Sequence, residues 1–532
     1  MAFRSAVVSV VVRMLMLAAM LIGHGVALAE VRFEVSFDAA NRSEPATGRL
    51  IVLLRREDAK LPPGTRPIDG PFWDDPQPLY GVDVAGAAAG TTMVVDDKAT
   101  AFLGRTPSTL PPGKYVAQAV LNTGAKLVSN WRRADGSLYT REPVAFEIGE
   151  GKASPLAVKL ELDAINRVEP LPKVEGVEWV EIKSELLSKF HGRDVMLRAG
   201  VVLPRGYDPA GQTRYAAVYE VPGFGGDHRG AIRKAEGVRR AKDDSAEAAL
   251  ARRAFWIVLD PESANGHTLF ADSANNGPCG AALVKELIPA IEAKYRLHAD
   301  AAHRLLRGHS SGGWSTIWLA ITYPDVFGAC WSTSPDPVCF EQFQTINVYK
   351  DASAFVDAKN DERPSVRRGG KHTLTVREES GAEDVVGPDN TSGGQWDSWQ
   401  AVWCPRNANG NPAGLWDPAT GLVDRAIAEA MKPYDIVALL RARTGELGPL
   451  FKQRIRIAVG DQDNFFLELA CDTLKRELDG LSFLTLPEGN HGYVVIVPGA
   501  DHGSIFGTPL LRGFSKEMLD HLNRVDGVEK AP

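Results

Sequence analysis

Three short segments carry residue types that could act together on an ester carbonyl. The first, Gly308-His309-Ser310-Ser311-Gly312-Gly313, has the form G-x-S-x-G. A short apolar run, Leu305-Leu306, precedes it, and a helix-compatible run from Trp314 to Tyr323 follows. A strand, a tight turn and a helix in that order expose a serine hydroxyl on a sharp elbow. Such a turn crowds the backbone, so glycine suits its flanking positions. A serine hydroxyl is a poor nucleophile at neutral pH. It needs a histidine to take its proton and a carboxylate to fix that histidine's tautomer.

Candidates for both partners follow Ser310 in the chain. The acid lies in Gly460-Asp461-Gln462-Asp463-Asn464-Phe465, directly after an apolar run. The G-x-x-D arrangement favours Asp463, with Asp461 as a turn-forming neighbour and alternative acid. Asp336, in Ser334-Pro335-Asp336-Pro337, is a third candidate, whose plainer reading is a turn residue between prolines. For the base, His502 in Asp501-His502-Gly503 follows the last expected strand. His491 precedes that strand and belongs to the opposite sheet edge, so His502 is preferred. His309, inside the elbow, is expected to pack beneath Ser310. The oxyanion that forms on the carbonyl needs two backbone N–H donors. One is expected from Ser311, the other from Phe224 or Gly225 in Pro222-Gly223-Phe224-Gly225-Gly226. That turn lacks the G-x-G-x-x-G spacing of a dinucleotide loop.

These residues require a scaffold of strands alternating with helices. Strands are expected at Val177-Ile182, Leu197-Leu203, Ala216-Val221, Phe255-Leu259, Arg304-Leu306, Gly328-Ser332, Arg454-Val459 and Tyr493-Val497. A helix is expected from Ala281 to Tyr295. This alternation means a mostly parallel α/β sheet. Ahead of it, Val31, Phe33, Val35 and Phe37 alternate with polar positions, as do Val158, Leu160 and Leu162. That period of two predicts half-buried strands and an N-terminal all-β, sandwich-like domain over 30–165. Pro170-Leu171-Pro172 reads as a stiff linker, with the catalytic domain over 175–525. A polar, Gly- and Pro-rich insertion at about 340–443 interrupts the alternation. Insertions at the edge of such a sheet usually cover the site. Its Trp396, Trp399 and Trp403 could form an apolar or sugar-stacking wall, or staple a region with little core of its own.

Composition narrows the classes. The 532 residues are 44% hydrophobic and 24% charged, with a net charge of -7, which is ordinary for a globular protein without a nucleic-acid partner. Arg4 and Arg13, the apolar run Met14–Ile22 and Ala27-Leu28-Ala29 form a signal-peptide pattern over 1–29. An N-terminal anchor is the alternative. The expectation is a secreted or periplasmic protein whose mature chain starts near Glu30, with no membrane span in it. Five cysteines in an exported chain suggest one or two disulfides and a leftover buried thiol. No metal-ligand spacing is evident.

The segments together resemble a known family. Val202-Leu203-Pro204-Arg205-Gly206-Tyr207, Pro222 to Gly226, Ala271 to Pro278, Glu286 to Glu292, the elbow, Gly460 to Phe465 and Asp501-His502-Gly503 are similar to the putative esterase family of α/β-hydrolases. That family holds esterase D, feruloyl and enterochelin esterases, and mycolyltransferases. The resemblance covers about Val177 to Leu522. It implies an α/β-hydrolase fold in which acid and then histidine follow the serine. It also implies hydrolysis of carboxylic esters, small or polysaccharide-linked, through an acyl-serine intermediate without cofactor. Ser310, Asp463 and His502 would fill the triad. An acyltransferase that passes the acyl group to a sugar or lipid hydroxyl shares the same residues, and an inactive glycan-binding protein is a third reading. The insertion departs from the small feruloyl esterases, so their substrate does not carry over.

Overall fold

The computed structural model describes residues 30–124, 130–150, 155–481 and 491–528. The signal-peptide pattern over 1–29 lies outside the described residues. Among them, no helix is long and apolar enough to cross a membrane.

Eight strands form the central sheet. They are β1 (Val177–Lys183), β2 (Met196–Val202), β3 (Ala216–Val221), β4 (Ala254–Leu259), β5 (Arg304–His309), β6 (Ala329–Thr333), β7 (Ile455–Gly460) and β8 (Tyr493–Val497). The spatial order is β1-β2-β4-β3-β5-β6-β7-β8. The β1–β2 and β2–β4 pairs are antiparallel, and every later pair is parallel. Every residue of β4, β6 and β7 is buried, as a parallel sheet covered on both faces requires. One face packs Tyr219, Phe255, Ile257 and Leu306 beneath Trp314. The other packs Val218, Trp256, Leu305 and Trp331 beneath Phe514 and Met518.

Five helices matter for the site. They are α1 (Ala231–Arg240), α2 (Ser311–Thr322), α3 (Val376–Val386), α4 (Gln395–Trp403) and α5 (Pro509–Val525). The helix expected at 281–295 is present as Cys279–Ala282 and Ile288–Lys294, joined through a wider turn over Leu283–Leu287.

Before the central sheet, the chain is built of strands and short 3-10 turns. Val31–Ser36 lies between Met93–Val95 and Leu156–Glu161. Ala46–Arg56 pairs antiparallel with Leu79–Ala87 on one side and Gly113–Asn122 on the other. Phe33, Val35, Leu50, Val52, Tyr80, Leu121 and Leu160 share one core. The outer face of the larger sheet, at Ile51, Leu53 and Val120, receives Ala382 and Val385 of α3. Arg49 donates from Nε to the Val385 carbonyl at 2.9 Å, which ties the insertion to this sheet.

The disulfide expectation is corrected. Cys279, Cys330, Cys339, Cys404 and Cys471 are all free and all buried. Each packs within the apolar cluster on one face of the central sheet or its insertion.

Candidate active site

The elbow forms where β5 hands over to α2. Ser310 sits at the junction with φ 57° and ψ −126°. A non-glycine residue held there costs about 1–3 kcal/mol, and such strain clusters at functional sites. The surroundings hold it: Ser310 N–H donates to the Thr333 carbonyl at 2.9 Å, and the Ser310 carbonyl accepts from Trp314 N–H at 3.1 Å. The glycine requirement is steric. A Cβ on Gly308 would stand 2.1 Å from the Gly312 oxygen, and one on Gly312 would stand 2.0 Å from the Val221 oxygen.

The candidate acid comes from the turn after β7. Asp463 is fully buried, and its Oδ2 lies 2.8 Å from His502 Nδ1. Its other oxygen accepts the Phe465 N–H at 3.0 Å. The Phe465 ring stands perpendicular to the imidazole at 4.8 Å. With Nδ1–H held by the carboxylate, His502 Nε2 is left as the proton acceptor. Among the described residues, His502 hydrogen-bonds Asp463 and not the Ser310 hydroxyl. Contacts of that kind are often long before substrate docks. The His309 ring lies 4.3 Å from the His502 ring and 4.6 Å from Phe506. Burial and the neighbouring His502 hold His309 well below the usual histidine range, so it is neutral.

The other candidates have different partners. Asp461 accepts the Gly499 N–H at 2.8 Å and braces the turn. Asp336 is buried, accepts the Trp399 indole N–H at 2.5 Å, and takes a hydrogen bond from Ser311. Burial pushes its carboxyl up to about 6. His491 precedes β8, whose first residue pairs with Arg456 near the start of β7, so it lies at the opposite edge of the sheet from Ser310.

Ser311 N–H opens α2 beside Ser310. The Phe224–Gly225 loop passes close by, because a Cβ on Gly223 would stand 3.2 Å from Ser310 Cβ. Two side chains that the sequence reading did not single out hold this loop. His267 bonds the Pro222 carbonyl through Nε2 at 2.9 Å and accepts the Leu269 N–H on Nδ1 at 3.0 Å. That pairing makes Nε2 the donor, and burial lowers the His267 pKa to about 4, so the ring stays neutral. Arg133, from the chain before the central sheet, donates to the Gly225 carbonyl at 2.5 Å. It also pairs with Glu262 at 2.8 Å and with Asp227 at 3.5 Å. Neither residue sits in a motif, so no spacing signal could have found them.

The tryptophan wall is corrected. Trp396, Trp399 and Trp403 are buried and have no face open to a substrate. They pack on one another and on Phe343, with ring centroids 5.0–5.8 Å apart. Apolar rings of that size lose more by exposure than an irregular insertion could recover elsewhere. They therefore staple the insertion to the common core. A chain of polar contacts still runs from α4 to the elbow. Gln395 donates to the Ser311 hydroxyl at 3.4 Å, and Trp399 reaches Asp336.

Among the described residues, one group could present metal-ligating atoms together: His298, Asp300 and His303. It lies at the start of β5, at the opposite end of that strand from the elbow. Both His303 nitrogens already meet carboxylates, those of Asp300 and Asp526.

A sequence model of the family described as "Putative esterase" matches residues 193–482. No curated protein matches. Solved structures with similarity include a substrate-bound, fluorophosphonate-binding serine hydrolase from Staphylococcus aureus. It is 13% identical, and the match covers 64% of this chain and 98% of that one at a TM-score of 0.35. An S-formylglutathione hydrolase from Staphylococcus aureus is 14% identical over 64% and 99%, with a TM-score of 0.34. A CE1 ferulic acid esterase from Anaeromyces mucronatus, in complex with ferulic acid, is 14% identical over 66% and 96%, with a TM-score of 0.30. At these identities and scores, the family assignment stands on the sequence match.

Proposed function

The chain belongs to the Putative esterase family and is a carboxylic ester hydrolase; from that premise we propose that Ser310, His502 and Asp463 are its catalytic triad. The observation that carries this reading is the 2.8 Å bond between Asp463 and His502, set beside a serine held at a strained elbow. In the proposed cycle Ser310 Oγ attacks the ester carbonyl while His502 Nε2 takes its proton. Asp463 steadies the imidazolium through Nδ1–H. The carbonyl oxygen, now an anion, is held by the N–H groups of Ser311 and of Phe224 or Gly225. His502 returns the proton to the leaving alcohol. Water, activated by the same histidine, then releases the acid and restores Ser310.

We also infer a division of the chain into an N-terminal β-sandwich-like domain over 30–165 and an α/β-hydrolase domain over 175–525. The insertion at 340–443 would act as a lid-like cover. The separate apolar cores of the two parts support that division. The signal-peptide pattern over 1–29 supports export, and the substrate would be a small or polysaccharide-linked ester.

Substituting Ser310→Ala should abolish turnover of a 4-nitrophenyl ester and labelling by a fluorophosphonate probe while the protein keeps its melting temperature. Full turnover in that variant would sink the assignment.

A further inference from the structure

A second feature adjoins the oxyanion loop. A cleft of about 1170 Å³ opens beside Phe224 and Phe506, which are 41% and 47% exposed. Its floor is the face of the central sheet that carries Glu220 of β3, Trp256 of β4 and Arg307 of β5. Its wall is α1, with Arg233 and Lys234. His309 lines it on the same face of β5 as Arg307. Two residues along a strand span roughly 6.7 Å, so the guanidinium is rooted within reach of the catalytic edge.

The charge in this cleft is not balanced. Lys234 pairs with Glu220 at 2.6 Å, and Arg229 pairs with Asp227 at 3.1 Å. Among the described residues, neither Arg307 nor Arg233 forms an ion pair within 4 Å; both act from farther away on Glu220, which Lys234 already engages. Burial raises the Glu220 carboxyl, but Lys234 and Arg307 outweigh it and hold it below the usual range. The Trp256 ring lies 4.0 Å from Lys234 Nζ and 5.5 Å from Arg307 Cζ, a contact that seats cations without neutralising them. A half-buried guanidinium on the floor of a cleft, with no carboxylate at ion-pair distance, offers a two-pronged donor that fits a carboxylate or phosphate.

We propose that this cleft is an anion subsite of the esterase, and that it takes a carboxylate or phosphate group carried by the ester substrate. The proposal rests on the catalytic reading above and names the substrate class: esters with a second, negatively charged group a few bonds from the scissile carbonyl. Arg307 binds that group, and Arg233 on the exposed side of α1 adds to the attraction.

The test compares 4-nitrophenyl acetate with a 4-nitrophenyl monoester of a dicarboxylic acid. The wild-type enzyme should prefer the charged ester, and sodium chloride should weaken that preference. In Arg307→Gln the ratio of kcat/KM values, charged over neutral, should fall by about tenfold, the loss expected for one charge-assisted hydrogen bond. Arg233→Gln, on an exposed helix face, should lower the same ratio without any question of folding. Inorganic phosphate should compete with the charged ester. The subsite is overturned if the wild type shows no charge preference, or if Arg307→Gln lowers both esters alike. It is also overturned if phosphate binds while leaving the charged ester's KM unchanged, because the cleft would then hold a free anion. The acetate reads the triad separately. Ser310→Ala with full acetate turnover defeats the catalytic reading, whereas loss of turnover without any charge preference defeats the subsite alone.

Discussion

Asp463 and Asp336 are both buried carboxyls near Ser310, but they differ in what they touch. Asp463 holds the histidine, and Asp336 holds an indole and the hydroxyl of Ser311. Asp463→Asn should therefore cost roughly 10³–10⁴-fold in kcat, as expected when the base loses its tautomer control. Asp336→Asn should retain most of kcat, and a 4-nitrophenyl ester assay of the two variants side by side separates the roles. Asp336 has a second signature, in stability. Its carboxyl titrates at about 6 in the folded protein against an ordinary 3.8. Stability from such a group is complete below the ordinary value and is lost as the pH rises through about 6. Asparagine mimics the neutral form at every pH. Asp336→Asn should gain on the wild type between about pH 4 and about pH 8, by up to about 3 kcal/mol, in urea unfolding. An unchanged difference across that range would refute the assignment of the raised pKa.

At the level of elements, the proposed oxyanion loop is held by parts of the chain far from it in sequence. Arg133 and Gly225 are 92 residues apart. Arg133→Ala should lower kcat about tenfold through a loosened Phe224–Gly225 turn, with KM and melting temperature little changed, and Arg133→Lys should recover part of it. A matched fall in stability and activity would mean that Arg133 only glues two layers together. The same distance explains what the sequence could and could not reveal. The elbow was legible because Gly308 and Gly312 each face a backbone oxygen that forbids a side chain. The strands were legible because β4 is a short, wholly apolar run and β6 and β7 are short and mostly apolar, although β7 buries Arg456. Asp463 and His502 stand out in the sequence because each follows a strand, β7 and β8. The insertion was not. Its polar composition suggested irregular cover, whereas α3 and α4 bury their apolar sides against two different partners. Neither partner can be read from local periodicity. Trp399 looked like a binding surface for the same reason: nothing in its neighbours shows that its indole is spent on Asp336.

Across the whole molecule, no disulfide adds to stability, since the five thiols form no cross-links. A reductant should leave the melting temperature where it is, and a shift would reveal a disulfide. Burial raises the thiols of Cys279, Cys330 and Cys339 to about 12, so the folded chain exposes almost no thiolate. Each sulfur can then be alkylated only when its own neighbourhood opens. Cys330 sits in the middle of the sheet, on β6, and Cys404 closes the last turn of α4 in the insertion. The chain thus carries a set of native clocks. Cys404 would time the breathing of the cover, and Cys330 the loss of the whole fold. The interval between the two would measure how far the cover can lift while the catalytic sheet beneath it stays intact.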